Sequence, residues 1–148
     1  MRIAVLSGPN LNLLGQREPA VYGTVTLQEI ERRLRGLAVE LGVELEMYQS
    51  NAEGALIDYI QESAGRVDAF VVNAGGLTHT SVSLRDALVG VARPYVEVHL
   101  SNPAAREPFR HVSLLMDRAL GAVVGFGAES YLLGLRGLVA RMDGGAGA

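Results

Sequence analysis

Glu97 and His99 stand two residues apart in Tyr95-Val96-Glu97-Val98-His99-Leu100. On a strand that spacing puts both side chains on one face, where a carboxylate can orient an imidazole for acid–base work. The plainer alternative is a surface ion pair. More donors, acceptors and acid–base groups follow other short apolar runs: Asn10 in Gly8-Pro9-Asn10-Leu11-Asn12, Asn73 and His79 in the stretch Asn73 to Ser81, and Ser101 just past His99. Arg17 and Tyr22 fall within Leu11 to Val25, a stretch longer than the roughly 2–6 residues of ordinary βα loops and of the kind that forms lids or binding loops. Each residue taken singly has a bland reading. Asn and Gly after a strand make turns, a lone His near a strand end is often a satisfied core residue, and Arg17-Glu18 can be a solvated pair worth under about 1 kcal/mol. Arg106 and Glu107 read as solvated charges at a helix start, while Arg110-His111 stays open. The bland readings weaken because so many polar groups fall on one edge of the fold.

Composition removes several chemistries. The 148 residues are the length of one ordinary domain. All 13 basic residues are Arg against 16 Asp plus Glu, for a formal charge of −3, which argues against a general nucleic-acid binder. Zero Lys forbids a Lys Schiff base or a P-loop Lys, and zero Cys removes thiolate nucleophiles, iron–sulfur clusters and thiolate zinc sites. No Asp or Glu pair with metal-site spacing accompanies the histidines, so a metal site is a poor reading. No apolar run approaches the roughly 18 residues that span a bilayer. Ser7-Gly8-Pro9-Asn10 also cuts the first apolar run too short for a signal peptide. A cytoplasmic enzyme or binding domain is expected, without nucleic-acid or membrane partners.

The elements that must position these residues alternate along the chain. Ile3 to Leu6 reads as a strand buried on both faces. Thr26 with Glu29 three residues on forms a capping box for a helix whose apolar positions are Leu27, Ile30, Leu34, Leu37, Ala38 and Leu41, closed by Gly42. The same alternation predicts strands at Val43 to Tyr48, Val67 to Val72, Tyr95 to Leu100 and Val123 to Phe126. Between and after them it predicts helices at Glu53 to Ser63, Ser81 to Val89, Ser113 to Ala119 and Ser130 to Arg141. Crossovers of helical length in place of hairpin turns mean parallel pairing. Five such units predict an α/β three-layer sandwich of the flavodoxin-like type, with a five-stranded parallel sheet in the order 2-1-3-4-5. Residues 1–141 form a single domain in this reading, and 142–148, ending Gly144-Gly145-Ala146-Gly147-Ala148, a disordered tail. Ligands of such sheets bind outside the carboxyl ends of the strands, where the clustered polar residues fall.

Those residues, in that order, resemble a known family. Gly8-Pro9-Asn10-Leu11-Asn12-Leu13-Leu14-Gly15, Arg17-Glu18-Pro19 and Tyr22-Gly23 are similar to the opening of the type II 3-dehydroquinate dehydratases. Gln49-Ser50-Asn51, Glu53-Gly54, Thr78 to Val82, Leu84 to Leu88, Glu97 to Asn102 and Phe109-Arg110-His111 continue the likeness, from about Ile3 to Leu135. The resemblance implies dehydration of 3-dehydroquinate to 3-dehydroshikimate by anti elimination through an enolate, a shikimate-pathway step that needs no cofactor or metal. It implies Tyr22 as the base, Arg17 as the lid cation that activates it, and His99, held by Glu97, as the acid that protonates the departing hydroxyl. Asn10, helped by the backbone near Gly76, would position a water against the enolate. Asn73 with the amides of Leu100 and Ser101 would clamp the substrate carboxylate. His79, Asp86 and Arg110 would bind ring hydroxyls, Asp86 across a subunit contact in a dodecamer built from trimers. A phenol acts as a base only when ionised, which near neutrality costs an ordinary tyrosine about 4 kcal/mol, so a fixed cation beside it is a requirement of the chemistry.

The chain departs from the family at Asn73-Ala74-Gly75-Gly76-Leu77, where many members read Asn-Pro-Gly-Ala-Tyr. Ala74 and Gly76 loosen a loop whose amides should face the enolate water. Ala104 replaces a common His and Pro108 a common acidic residue. Two other classes share the fold. A flavodoxin-like small-ligand module without activity is one, although a phospho-receiver would need an Asp where Asn73 stands. A catalytically silent, shell-forming homologue is the other.

Overall fold

The computed structural model describes residues 1–144. Five strands, β1 (Arg2–Ser7), β2 (Glu44–Gln49), β3 (Ala69–Asn73), β4 (Tyr95–His99) and β5 (Gly121–Val124), form one sheet in the order β2-β1-β3-β4-β5 with every pair parallel. The order and direction agree with the sequence reading. Side chains along β1 alternate between two cores. Ile3 and Val5 join Leu34 and Leu135 on one face, and Ala4 and Leu6 join Ile60 and Leu84 on the other, which is why the strand is apolar at every position. Helices α2 (Leu27–Leu41) and α5 (Glu129–Gly144) cover the first face, and α3 (Glu53–Ser63) and α4 (Val82–Gly90) the second. The Thr26 hydroxyl accepts from Glu29 N at 3.2 Å and Gly42 ends α2 with φ 70°, as its pattern foretells. Within the long loop, α1 (Pro19–Tyr22) is a single turn.

Three expectations need correction. The predicted helix from Ser113 to Ala119 is only a 3-10 turn at Met116–Arg118. Its bonds run elsewhere: Ser113 Oγ accepts from Leu115 N and Met116 N, Leu114 N donates to Thr78 O, and the Leu115 carbonyl accepts the Tyr95 hydroxyl. The last strand is Gly121–Val124 rather than Val123 to Phe126, because Gly125, at φ 92°, turns the chain away from the sheet while its N–H closes on His99 O at 3.2 Å. Helix α5 continues past Arg141 to Gly144, with Met142 packed on the core, so 142–144 is helix where a tail is expected. Residues 145–148 of that expected tail lie outside the described residues.

Ala92, just past the end of α4, has φ 55°, a left-handed conformation that costs a residue with a Cβ roughly 1–2 kcal/mol. Glycine removes that cost but loses more chain entropy on folding, so Ala92→Gly should stabilise the protein by about 0.5–1 kcal/mol. Denaturant melts of the two proteins check this.

Candidate active site

The carboxyl ends of β1 and β3 are drawn together by their backbones. Gly8 N donates to Asn73 O at 2.8 Å, and a Cβ on Gly8 would stand 2.5 Å from the Ala74 carbonyl oxygen, so only glycine permits the approach. Gly75, at φ 59°, donates its N–H to Asn73 Oδ1 at 3.2 Å, which braces the Ala74–Gly76 segment despite its small residues. Asn10 takes the left-handed conformation at φ 71°, tolerable for asparagine, with its N–H on Asn51 Oδ1 at 2.9 Å.

Above these ends lies a cleft of about 190 Å³, smaller than the roughly 300–1,000 Å³ of drug-sized sites and suited to a compact ligand. Its wall brings together Asn10, Arg17, Tyr22, Asn73, His79, His99, Leu100, Ser101 and Arg110 from the sequence reading. It also includes Arg106, which sequence reasoning assigned to solvent. Arg17, Arg106 and Arg110 line it with no Asp or Glu among the lining residues, an electrostatic match to a small anion.

Strand β4 supplies the acid–base pair. His99 Nε2 is 2.9 Å from Glu97 Oε2, and both side chains are buried. Ser113 Oγ donates to the other carboxylate oxygen, Oε1, at 2.6 Å while accepting from the Leu115 and Met116 amides. A buried carboxylate needs partners on both oxygens, and here it has them. Nε2 is thus committed to Glu97, and Nδ1 is the ring nitrogen left for a ligand in the cleft.

Tyr22 comes from the long loop. Its hydroxyl accepts from Arg106 Nη2 at 2.9 Å, and Arg106 Nη1 donates to Ser101 Oγ at 3.2 Å. The Arg106 side chain is 17% exposed, so the reading of it as a solvated charge is corrected: burial against Tyr22 and Ser101 fixes its fork. Arg17 shares only the ring contact, its guanidinium carbon 5.0 Å from the Tyr22 ring centroid against 5.2 Å for that of Arg106. Arg106 is therefore the cation on the phenol oxygen, and Arg17 a cation against the ring.

Asn73 is buried beneath the cleft, with Nδ2 donating to the Tyr131 hydroxyl at 3.1 Å. His79 Nδ1 donates to Val112 O at 2.8 Å, which leaves Nε2 for the cleft. Arg110 Nε pairs with Glu107 Oε1 at 3.2 Å. Asp86 is exposed on α4 and is not among the residues lining the cleft. Besides Arg106, sequence reasoning missed Ser113, Tyr131 and Ser7. Nothing in their spacing marks them, since Ser113 and Tyr131 bond partners far away in the sequence and Ser7, next to Gly8, is tied in only through Tyr131. Among the described residues no group of three His, Cys, Asp or Glu could hold a metal ion, and no helix is long and apolar enough to cross a membrane.

Comparison with known proteins gives one answer. The model of the family described as dehydroquinase class II matches residues 1–139. The 3-dehydroquinate dehydratase of Prochlorococcus marinus (strain NATL1A) is 58% identical over 139 residues, 94% of this chain and 96% of that protein. That of Synechococcus sp. (strain WH7803) is 59% identical over 144 residues, 97% of this chain and 98% of its own. The crystal structure of a type II dehydroquinase from Butyrivibrio crossotus DSM 2876 superposes with a TM-score of 0.91 at 39% identity, covering 95% of this chain and 98% of that one.

Proposed function

Because the chain belongs to the dehydroquinase class II family, we propose that Tyr22 takes the proton from the carbon beside the ketone of its substrate and that His99 protonates the hydroxyl that leaves. The reaction is the elimination of water from 3-dehydroquinate, a hydro-lyase step of the shikimate pathway. Arg106, bonded to the Tyr22 oxygen, stabilises the phenolate that attacks the carbon acid, and Arg17 adds positive charge from the loop. Proton loss leaves an enolate, whose oxygen faces a water held by Asn10 and the backbone near Gly76; preorganised donors of this kind are commonly worth about 3–4 kcal/mol each. His99 enters this step as imidazolium, held through Nε2 by Glu97, and delivers the Nδ1 proton as the carbon–oxygen bond breaks. Asn73 and the amides of Leu100 and Ser101 take the substrate carboxylate, and His79 and Arg110 the ring hydroxyls.

Arg106 on the Tyr22 oxygen, in the same cleft as a Glu97-tethered His99, is the observation that carries this reading. It disfavours a silent binding module, which has no need of a cation on a half-buried phenol oxygen. Asp86, exposed and outside the cleft, supports a homo-oligomer in which it completes a neighbouring copy's site, a dodecamer of trimers. Phe109, Val112 and Met116, left exposed beyond the cleft, support the same assembly. The absence of cysteine supports a cytoplasmic setting. Sizing chromatography with each fraction assayed for the ultraviolet absorbance of the conjugated enone tests both points at once. Activity should elute with an assembly many times the mass of one chain. Active monomers would remove the role given to Asp86, and an inactive protein at every size would end the catalytic reading.

A further inference from the structure

Tyr131 takes no part in the reaction just described, yet it is fully buried in the first turn of α5 with its hydroxyl bonded to Asn73, which lines the cleft. Ser7 and Asn73 are register partners at the carboxyl ends of β1 and β3. The Tyr131 oxygen lies 2.9 Å from Ser7 Oγ and 3.1 Å from Asn73 Nδ2. The donors in this triad can be assigned. The Gly75 N–H can only donate, so the atom it meets at 3.2 Å is the Asn73 carbonyl oxygen, and the amide nitrogen faces Tyr131. Tyr131 therefore accepts from Asn73, and since an amide nitrogen cannot accept, Ser7 Oγ is the partner left to take the proton of this buried hydroxyl. Burial pushes the Tyr131 phenol up to about 12, which keeps that proton in place through the neutral range.

An amide nitrogen carries two hydrogens. One is engaged by Tyr131, and Asn73 lines the cleft, where the second can meet a ligand. We propose that Tyr131 is a positioning residue for substrate binding: by accepting one Asn73 N–H while Gly75 holds the amide oxygen, it fixes the carboxamide with its second N–H turned to the substrate carboxylate. This rests on the assignment of Asn73 to that carboxylate. Ser7 belongs to the device, because it takes the Tyr131 proton and so keeps the hydroxyl oxygen turned to Asn73 as an acceptor.

Steady-state kinetics of Tyr131→Phe, Ser7→Ala and Asn73→Ala test it, together with the binding of a cyclic ligand that keeps the ring hydroxyls and lacks the carboxylate. Tyr131→Phe should raise KM about tenfold with kcat within about twofold of the parent, the effect of one hydrogen bond to a charged group. Ser7→Ala should raise KM in the same direction, since the released Tyr131 proton can then turn against the amide nitrogen. Neither should weaken binding of the ligand without a carboxylate, and Tyr131→Phe should add nothing in the Asn73→Ala background. An unchanged KM in Asn73→Ala overturns the carboxylate assignment itself. A raised KM in Asn73→Ala with parental values in Tyr131→Phe and Ser7→Ala overturns the positioning role alone. Equal weakening of both ligands, or loss of kcat without change in KM, reduces Tyr131 to a packing residue. Should Tyr131→Phe fail to fold, Ser7→Ala carries the test by the same criteria.

Discussion

Replacing Tyr22 with Phe should lower kcat by about 10³-fold, within the roughly 10²–10⁴ that a positioned general base contributes, and leave KM within a few-fold of the parent. The substitution removes one oxygen and keeps the ring that packs against Arg17 and Arg106. Binding groups remain in place, so the loss falls on the transition state. Initial rates of enone formation measure it. The arginines then separate by what they touch. Arg106→Ala deletes a guanidinium 2.9 Å from the phenol oxygen, and Arg17→Ala one that lies against the ring face. In the geometry described, Arg106→Ala should therefore be the more damaging of the two. A Tyr22→Phe enzyme of near-parental turnover would assign the proton abstraction to another group. Arg17→Ala harming kcat more than Arg106→Ala would mean that the loop rearranges over substrate to exchange the two cations.

How far the site could be read without coordinates depended on the range of each interaction. The Thr26 cap, the unbroken apolar run of β1 and the Glu97–His99 pair are short-range patterns, and the structure reproduces them. The helix expected from Ser113 to Ala119 shows the limit. Its residues suit a helix, but Ser113 is drawn to Glu97 and Leu114 to Thr78, and those distant partners outbid local helical bonds. Arg106 fails for the same reason: 84 positions separate it from Tyr22, so no local pattern distinguishes it from a solvated charge. The network beneath Asn73 spans 124 positions between Ser7 and Tyr131, and becomes visible only when α5 is laid across the ends of β1 and β3.

His99→Ala should cost about 10²–10⁴ in kcat as the loss of a general acid, but Glu97→Gln is the sharper test because it keeps the size of the side chain. Ser113 has a single hydroxyl proton, and its oxygen already accepts from two backbone amides, so it must donate to whatever occupies Glu97 Oε1. A glutamine has one acceptor oxygen. If that oxygen serves Ser113, the amide NH2 is left facing His99 Nε2, and the ring can accept it only with Nε2 unprotonated. The neutral ring then carries its proton on Nδ1, and the doubly protonated form that acts as acid is opposed by an N–H meeting an N–H. Glu97→Gln should accordingly lose about 10²–10³ in kcat while folding normally and binding substrate with near-parental KM, as expected when a histidine is held in the wrong protonation pattern. Ser113→Ala gives the complementary case. It frees Glu97 Oε1 and leaves Oε2 on His99, so its kcat should stay well above that of Glu97→Gln. If Glu97→Gln turned over at the parental rate, His99 would need no carboxylate to hold its proton, and the leaving hydroxyl would have to be protonated by a different donor in the cleft.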